Sequence, residues 1–277
     1  MPEIIKMILG ANIFSKLDLK DAFNQVPVKR EHQSFTAFKF PKGIFEYKVM
    51  PFGLRNAPAV FQRMINQVLG CLIGVCCVAY MDDILVFSRS KEQHTADVCK
   101  VLAALSKAWL HLKLSKCEFY KEEVSFLGNL VLKDGHSICL EKLKAIKEWG
   151  VPCTTTELRS FLGTINFLRR FCKDILATVA PLTELCGDAN FSWGTDQQRA
   201  FNSIKSTLAS SPVLAHSNFD APFIVETEAS NFAVGAVLLQ ADNEGTERPV
   251  CFFSRKMTKA KTDYPFMTKS FWLSWLH

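Results

Sequence analysis

The hydrophobic pattern changes period twice along the chain. Up to about residue 50 the apolar runs are short and β-rich. Phe14–Leu19 predicts a strand. Phe35–Phe40 and Ile44–Met50 predict two more, joined by the hairpin signal Pro41-Lys42-Gly43. Asn56-Ala57-Pro58 then predicts a helix start with proline in the first turn. Val60, Phe61, Met64, Ile65, Val68 and Leu69 recur behind it at helical spacing. Val75–Tyr80 and Ile84–Phe87 are apolar runs of strand length. Met81-Asp82-Asp83 separates them, which predicts a hairpin with two adjacent carboxylates at its tip. A helix over 91–112 follows, then strands at Glu118–Phe119 and at Val124–Leu132, the second broken at Gly128.

From about residue 140 the period is helical. The spacing predicts a short helix over 141–149. Thr154-x-x-Glu157 is a capping box directly before Leu158, Phe161, Leu162, Ile165, Leu168 and Phe171. A helix over 175–185 comes next. Another opens at Thr195-x-x-Gln198, with Phe201, Ile204 and Leu208 as its stripe. Strands then return at Phe223–Thr227, Ala233–Gln240 and Val250–Ser254, and a last helix starts near Phe266. There is no internal repeat and no low-complexity linker.

Composition narrows the classes. A chain of 277 residues fits two domains, and 48% hydrophobic against 22% charged residues excludes disorder by composition. Ten cysteines without a C-x-x-C pair argue against a zinc ribbon and against a disulfide scaffold. The expectation is an intracellular protein of the cytoplasm or nucleus. No signal peptide is visible, and no window approaches ~18 apolar residues, so no membrane partner is expected. The net charge of +6 is uneven: residues 1–136 hold 18 basic and 13 acidic residues, residues 137–186 hold 7 and 5, and residues 187–277 hold 8 and 9. A surplus in the first half fits a polyanionic partner.

Asp82 and Asp83 are the sharpest chemical feature. Adjacent carboxylates between apolar strands repel each other unless a cation joins them. On the dipeptide alone, an ordinary polar turn is the simpler reading. Asp18, at the end of another apolar strand, changes that. Three carboxylates on two strands are what two-metal phosphoryl transfer needs, and oxygen donors suit Mg²⁺, with Mn²⁺ a substitute. Asp18 and Asp82 are the candidates to bridge both ions, with Asp83 as a third ligand.

Five motifs occur in order: Phe14-Ser-Lys-Leu-Asp-Leu-Lys-Asp-Ala-Phe-Asn-Gln-Val26, Val49-Met-Pro-Phe-Gly-Leu-Arg-Asn-Ala-Pro-Ala-Val-Phe-Gln62, Tyr80-Met-Asp-Asp83, Lys113-Leu-Ser-Lys-Cys-Glu-Phe119 and Val124-Ser-Phe-Leu-Gly128. Together they resemble the reverse transcriptase of a gypsy-type LTR retrotransposon or retrovirus-like element. The resemblance continues through Glu157-Leu-Arg-Ser-Phe-Leu-Gly163 and Phe191-x-Trp193 into an RNase H-like segment.

That resemblance implies an α+β fold. It would have a right-hand polymerase palm with partial fingers over 1–136, a helical thumb or connection over 137–188 and an incomplete RNase H-like mixed sheet over 189–277. It implies an RNA-directed DNA polymerase that transfers dNMP from a dNTP to a primer 3′-OH, with an RNA template, a DNA primer and other parts of a retroelement polyprotein as partners. Asp18, Asp82 and Asp83 match the metal-binding aspartates. Asp21 and Ala22 match positions whose backbone N–H groups meet the triphosphate. Phe23 matches the aromatic that blocks a ribose 2′-OH. Pro51, Phe52 and Gly53 match the segment beside nucleotide and template, Lys116 a lysine near the phosphates, and Phe126, Leu127 and Gly128 the hairpin that grips the primer end.

Two departures qualify it. Family members carry a fingers region before the first aspartate, and here only 17 residues precede Asp18. In the RNase H-like segment Glu228 stands where the family has aspartate, and a second acidic position aligns with Ser270, so no RNase H activity is expected. A non-catalytic nucleic-acid-binding remnant and a fragment without function of its own stand as alternatives.

Overall fold

The computed structural model describes residues 4, 7–187, 191–229, 233–242 and 244–256. The fold is mixed α and β with antiparallel sheets, in two compact units, Met1–Leu127 and Gly128–His277.

The first unit is built on β1 (Ile13–Asp18), β4 (Cys77–Tyr80), β5 (Asp83–Ser88) and β6 (Glu118–Lys121), in the order β4-β5-β1-β6. The two apolar runs around Met81-Asp82 pair as an antiparallel hairpin, and β1 lies antiparallel to β5. Helix α1 (Ala57–Leu69) starts with proline in its first turn and buries Phe61, Ile65 and Leu69 at four-residue spacing. Helix α2 (Lys91–Lys107) is capped by Ser90, whose hydroxyl accepts the Gln93 N–H at 3.3 Å. The buried stripes of both helices share one core with Leu17, Ile84 and Val86 of the sheet.

Helix α2 ends five residues before the expected Leu112. Trp109 takes a positive φ of 58°, and the chain turns so that Leu112 bridges Leu19. The backbone of residues 111–113 is drawn into hydrogen bonds with the loop after β1, which outweighs continuing the helix. The hairpin at Pro41-Lys42-Gly43 exists, but its strands are short: β2 (Phe38–Phe40) and β3 (Gly43–Phe45). The residues before β2 form single helical turns instead, Arg30–Gln33 and Ser34–Thr36. Thr36 links these turns to the chain after β3 by accepting the Tyr47 N–H at 2.8 Å.

The expected strand over 124–132 is two strands, β7 (Val124–Phe126) and β8 (Asn129–Leu132). A strand that the pattern did not suggest, β9 (Gly135–Ile138), folds back on β8, and β10 (Leu214–Ala215) pairs with β9. The second unit's core is helical: α3 (Leu140–Lys147), α4 (Thr155–Leu168), α5 (Ile175–Leu185) and α6 (Thr195–Ala209) bury Ile146, Leu158, Phe161, Leu182, Phe201 and Ile204 together. The capping box at Thr154 is half-formed. Thr154 accepts the Glu157 N–H at 3.2 Å, while the Glu157 carboxylate reaches one residue further back, to the Cys153 N–H at 2.8 Å. Helix α6 is capped one residue earlier than expected, at Gly194, whose N–H donates to Gln197 at 3.2 Å; Gln198 instead accepts from the Trp193 indole at 2.9 Å.

An antiparallel sheet of β11 (Ile224–Ala229), β12 (Ala233–Ala241) and β13 (Glu247–Lys256) follows, in that order. The helix expected from Phe266, and Ser270 with it, lie outside the described residues. Among the described residues no helix is long and apolar enough to cross a membrane. All ten cysteines are free.

Candidate active site

The antiparallel register of β1 and β5 sets Asp18 directly opposite Asp83. Asp82 sits in the turn, and Asp83 is the first residue of β5, paired also with Tyr80. The two carboxylates are therefore not both at the tip. Met81 enters the turn at φ 56°, and Gln62 on α1 holds it there. The Gln62 side chain accepts the Met81 N–H at 2.8 Å and donates to the Ala79 carbonyl at 3.0 Å. The end of β1 is bracketed too: the Leu19 N–H donates to the Asp82 carbonyl at 3.1 Å, and the Lys113 N–H donates to the Asp18 carbonyl at 2.9 Å. Gln25 ties the same loop to His111, accepting its N–H at 2.7 Å and donating to the Lys20 and His111 carbonyls.

The three carboxylates have different surroundings. Asp18 is 9% exposed, with the Lys116 ammonium 3.6 Å away. Asp82 is exposed. Asp83 is half-buried and pairs with Lys16 at 3.2 Å. Burial pushes the Asp83 carboxyl above its ordinary range. Lys16 opposes that, while Asp82 and Asp18 add to it.

An open cleft of about 540 Å³ brings together Asp18, Asp82, Asp21, Ala22, Phe23, Phe52 and Lys116. Asp21 takes a left-handed backbone at φ 45° and leads into the tight turn Ala22–Gln25. Phe23 packs edge-on between Phe52, at 5.3 Å, and Phe61, at 5.5 Å. Its ring is thus fixed by α1 on one side and by the exposed Phe52 on the other. Lys113 also lines the cleft.

Asp83, Pro51 and Gly53 do not line it. Pro51 is buried and Gly53 turns the chain at φ 98°. Phe126 and Leu127 are likewise not lining residues; Phe126 is buried, and Leu127 and Gly128 both take positive φ, 49° and 73°. Glu228 belongs to the second unit. It pairs with Lys173 at 3.5 Å and lies opposite Gly235 in the β11–β12 register. Asp174 crowds the same spot: a Cβ on Gly235 would lie 2.1 Å from its carboxylate oxygen. Burial and Glu228 push the Asp174 carboxyl up, with Lys173 opposing.

Among the described residues no three His, Cys, Asp or Glu side chains gather into a metal cage. The cleft's acidic lining is Asp18, Asp21 and Asp82, beside open space. That fits a hard cation such as Mg²⁺, which is held by one or two carboxylates plus substrate phosphate oxygens and water. Gln62, Gln25 and Lys113 were not picked out from the sequence as site residues. A glutamine gives no pattern signal, because its role depends on backbone groups far away in the chain.

Residues 3–131 match the family "Reverse transcriptase (RNA-dependent DNA polymerase)", and residues 193–272 match "RNase H-like domain found in reverse transcriptase". The Transposon Tf2-3 polyprotein of Schizosaccharomyces pombe is 39% identical over 268 residues, which is 96% of this chain and 20% of that polyprotein. The chain thus spans about a fifth of the length of the curated relatives it matches. A foamy viral protease-reverse transcriptase solved with double-stranded DNA superposes with a TM-score of 0.87 at 25% identity, over 97% of this chain and 47% of that one. A second foamy viral structure, with an RNA/DNA hybrid, gives 0.84 at 25% identity over 97% and 36%. The chain belongs to the reverse transcriptase family of retrotransposon polyproteins, with an RNase H-like domain after the polymerase-type domain.

Proposed function

We propose that the chain carries the polymerase site of an RNA-directed DNA polymerase and adds deoxynucleotides to a primer 3′-OH along an RNA template. The observation that carries this reading is the meeting of Asp18 and Asp82 in one cleft, with Asp83 opposite Asp18 in the strand register. Asp18 and Asp82 would hold two Mg²⁺ ions, with Asp83 beside them. When bound, such ions lower the pKa of an attacking hydroxyl and stabilise the charge of a departing pyrophosphate.

The chain's own groups do the rest. The backbone N–H groups of Asp21 and Ala22 offer donors to a triphosphate, and the turn at Asp21 presents them in succession. Lys116, 58% exposed, supplies a mobile positive charge beside Asp18 for the phosphates. Phe23, clamped by Phe52 and Phe61, is a rigid wall against a ribose 2′-OH. Pro51, Phe52 and Gly53 flank the nucleotide and template, and Phe126, Leu127 and Gly128 hold the primer end. Partners are an RNA template, a DNA primer and a dNTP, within a longer polyprotein.

We assign no RNase H activity to residues 193–272. Glu228 stands where the family has aspartate, and its exposed side chain pairs with Lys173 at 3.5 Å.

Primer extension on poly(rA)/oligo(dT) with Mg²⁺ or Mn²⁺ tests the reading. Incorporation that disappears in Asp82→Asn supports it. Salt-sensitive template binding without incorporation, unchanged by Asp82→Asn, would identify a non-catalytic binder instead.

A further inference from the structure

Ser15 on β1, Ser88 on β5, and His94 and Asp97 on α2 form a polar chain sealed inside the first unit. They are 0%, 6%, 0% and 4% exposed. Ser15 Oγ lies 2.7 Å from His94 Nε2, His94 Nδ1 lies 3.0 Å from Ser88 Oγ, and Ser88 Oγ lies 3.0 Å from Asp97 Oδ2. Asp97 also accepts from Gln93 at 2.9 Å and from Lys100 at 3.1 Å. The Tyr120 N–H on β6 donates to Ser15 Oγ at 3.1 Å.

Counting donors fixes the direction of this chain. A carboxylate only accepts, so the Ser88 hydroxyl hydrogen goes to Asp97. Ser88 Oγ is then an acceptor for His94, which places the ring proton on Nδ1. Nε2 is left to accept the Ser15 hydroxyl hydrogen, and Ser15 Oγ accepts from Tyr120. Every group is satisfied with a neutral imidazole. A Ser–His–acid series invites comparison with a nucleophile relay, but Ser15 has no exposed surface for a substrate.

What the chain does is tie four elements at one register. Ser15 is three residues before Asp18, and Ser88 closes the strand that Asp83 opens. We infer that His94 is a positioning residue for the candidate active site: its neutral ring locks α2 to β1 and β5 and so holds Asp18 opposite Asp83. The use of that geometry rests on the polymerase reading; the lock itself does not.

Burial pushes the His94 imidazole below its ordinary range, and Asp97 opposes this. The other groups around it are few. Lys100 pairs with Asp97 on α2, and the thiols of Cys76 and Cys77 face Asp97 from the β4 side. The Tyr120 ring packs edge-on at 5.2 Å, with its hydroxyl on Thr95. Strands β1 and β5 bring only the Ser15 and Ser88 hydroxyls to the ring. Protonation would make Nε2 a donor, leaving the Ser15 hydroxyl hydrogen without its acceptor.

Amide hydrogen exchange on the whole chain tests this without nucleotide. The Leu19 and Lys113 amides donate to the carbonyls of Asp82 and Asp18, so their protection reports on the site directly. His94→Phe and the milder Ser88→Ala should each lower protection at Leu19 and Lys113 by about tenfold or more, the effect of orphaning one buried polar group. The amides of the β8–β9 pair in the second unit should keep theirs. Wild-type protection at Leu19 and Lys113 should fall as pH drops from ~7 to ~5, around the ordinary imidazole pKa, and His94→Phe should remove that pH dependence. If His94→Phe unfolds the unit, Ser88→Ala decides. Unchanged protection at both amides in Ser88→Ala, or a wild-type pH profile in a folded His94→Phe, overturns the inference. Lost incorporation with intact protection would count against the polymerase reading alone.

Discussion

Acidification should loosen the second unit through His136, and the size of the effect can be worked out. His136 on β9 is 4% exposed, stacks on His216 with centroids 6.0 Å apart, and meets Phe171 edge-on at 5.6 Å. Its Nδ1 has no hydrogen-bond partner among the described residues. Burial, then the Arg170 charge, then His216 push its pKa down to about 3. An unfolded histidine titrates near ~6.5. Between those values the unfolded chain binds the proton and the folded chain does not, so stability rises with pH and is lost as pH falls. Integrating the difference gives a loss of about 2 kcal/mol from pH ~7 to ~5, and about 3 kcal/mol by pH ~4. The assay is urea unfolding at each pH, followed by hydrogen exchange of the β8–β9 segment so that the second unit is read separately. His136→Phe removes the titration, and wild type minus variant isolates it from His216 and the carboxylates. Parallel pH profiles for the two proteins would refute the reasoning.

Three further predictions follow from local geometry. Gly135→Ala should destabilise the second unit by about 1–3 kcal/mol, by strain comparable to overpacking. Its Cβ would lie 2.2 Å from the Leu214 backbone oxygen, which no side chain can relieve, so β10 should lose protection first in exchange experiments. Gln62→Ala should orphan the Met81 N–H and the Ala79 carbonyl, cost about 1–3 kcal/mol, and broaden NMR signals of the Asp82 turn. Lys16→Met should raise the Asp83 carboxyl further, because Lys16 is what opposes its burial; carbon-detected titration of Asp83 should move to higher pH.

The sequence made the frame of the first unit legible because its signals were local. A proline after Asn56 marked α1, and two apolar runs around Met81-Asp82-Asp83 marked the carboxylate-bearing hairpin. What stayed hidden depended on distant partners. Strand β9 escaped because Gly135, His136 and Ser137 are polar or small. His136 is buried by contact with Phe171 and His216, far along the chain. Helix α2 was read too long because Ala108, Trp109 and Leu112 continue its stripe, yet residues 111–113 belong to the bracket around Asp18. The carboxylates themselves were found by type. Their division into Asp18 and Asp82 in the cleft, with Asp83 against Lys16, follows from the strand register, which no spacing rule states.

Single-nucleotide incorporation opposite an RNA template tests the central claim most directly. The account predicts metal-dependent addition by the wild-type chain and a fall of about a thousandfold or more in Asp18→Asn and in Asp82→Asn, since removing a metal-holding carboxylate forfeits several kcal/mol of charge stabilisation. Template binding should be unchanged in both. Addition that survives either substitution, or its absence from a folded wild-type chain that binds template and primer, would contradict the account.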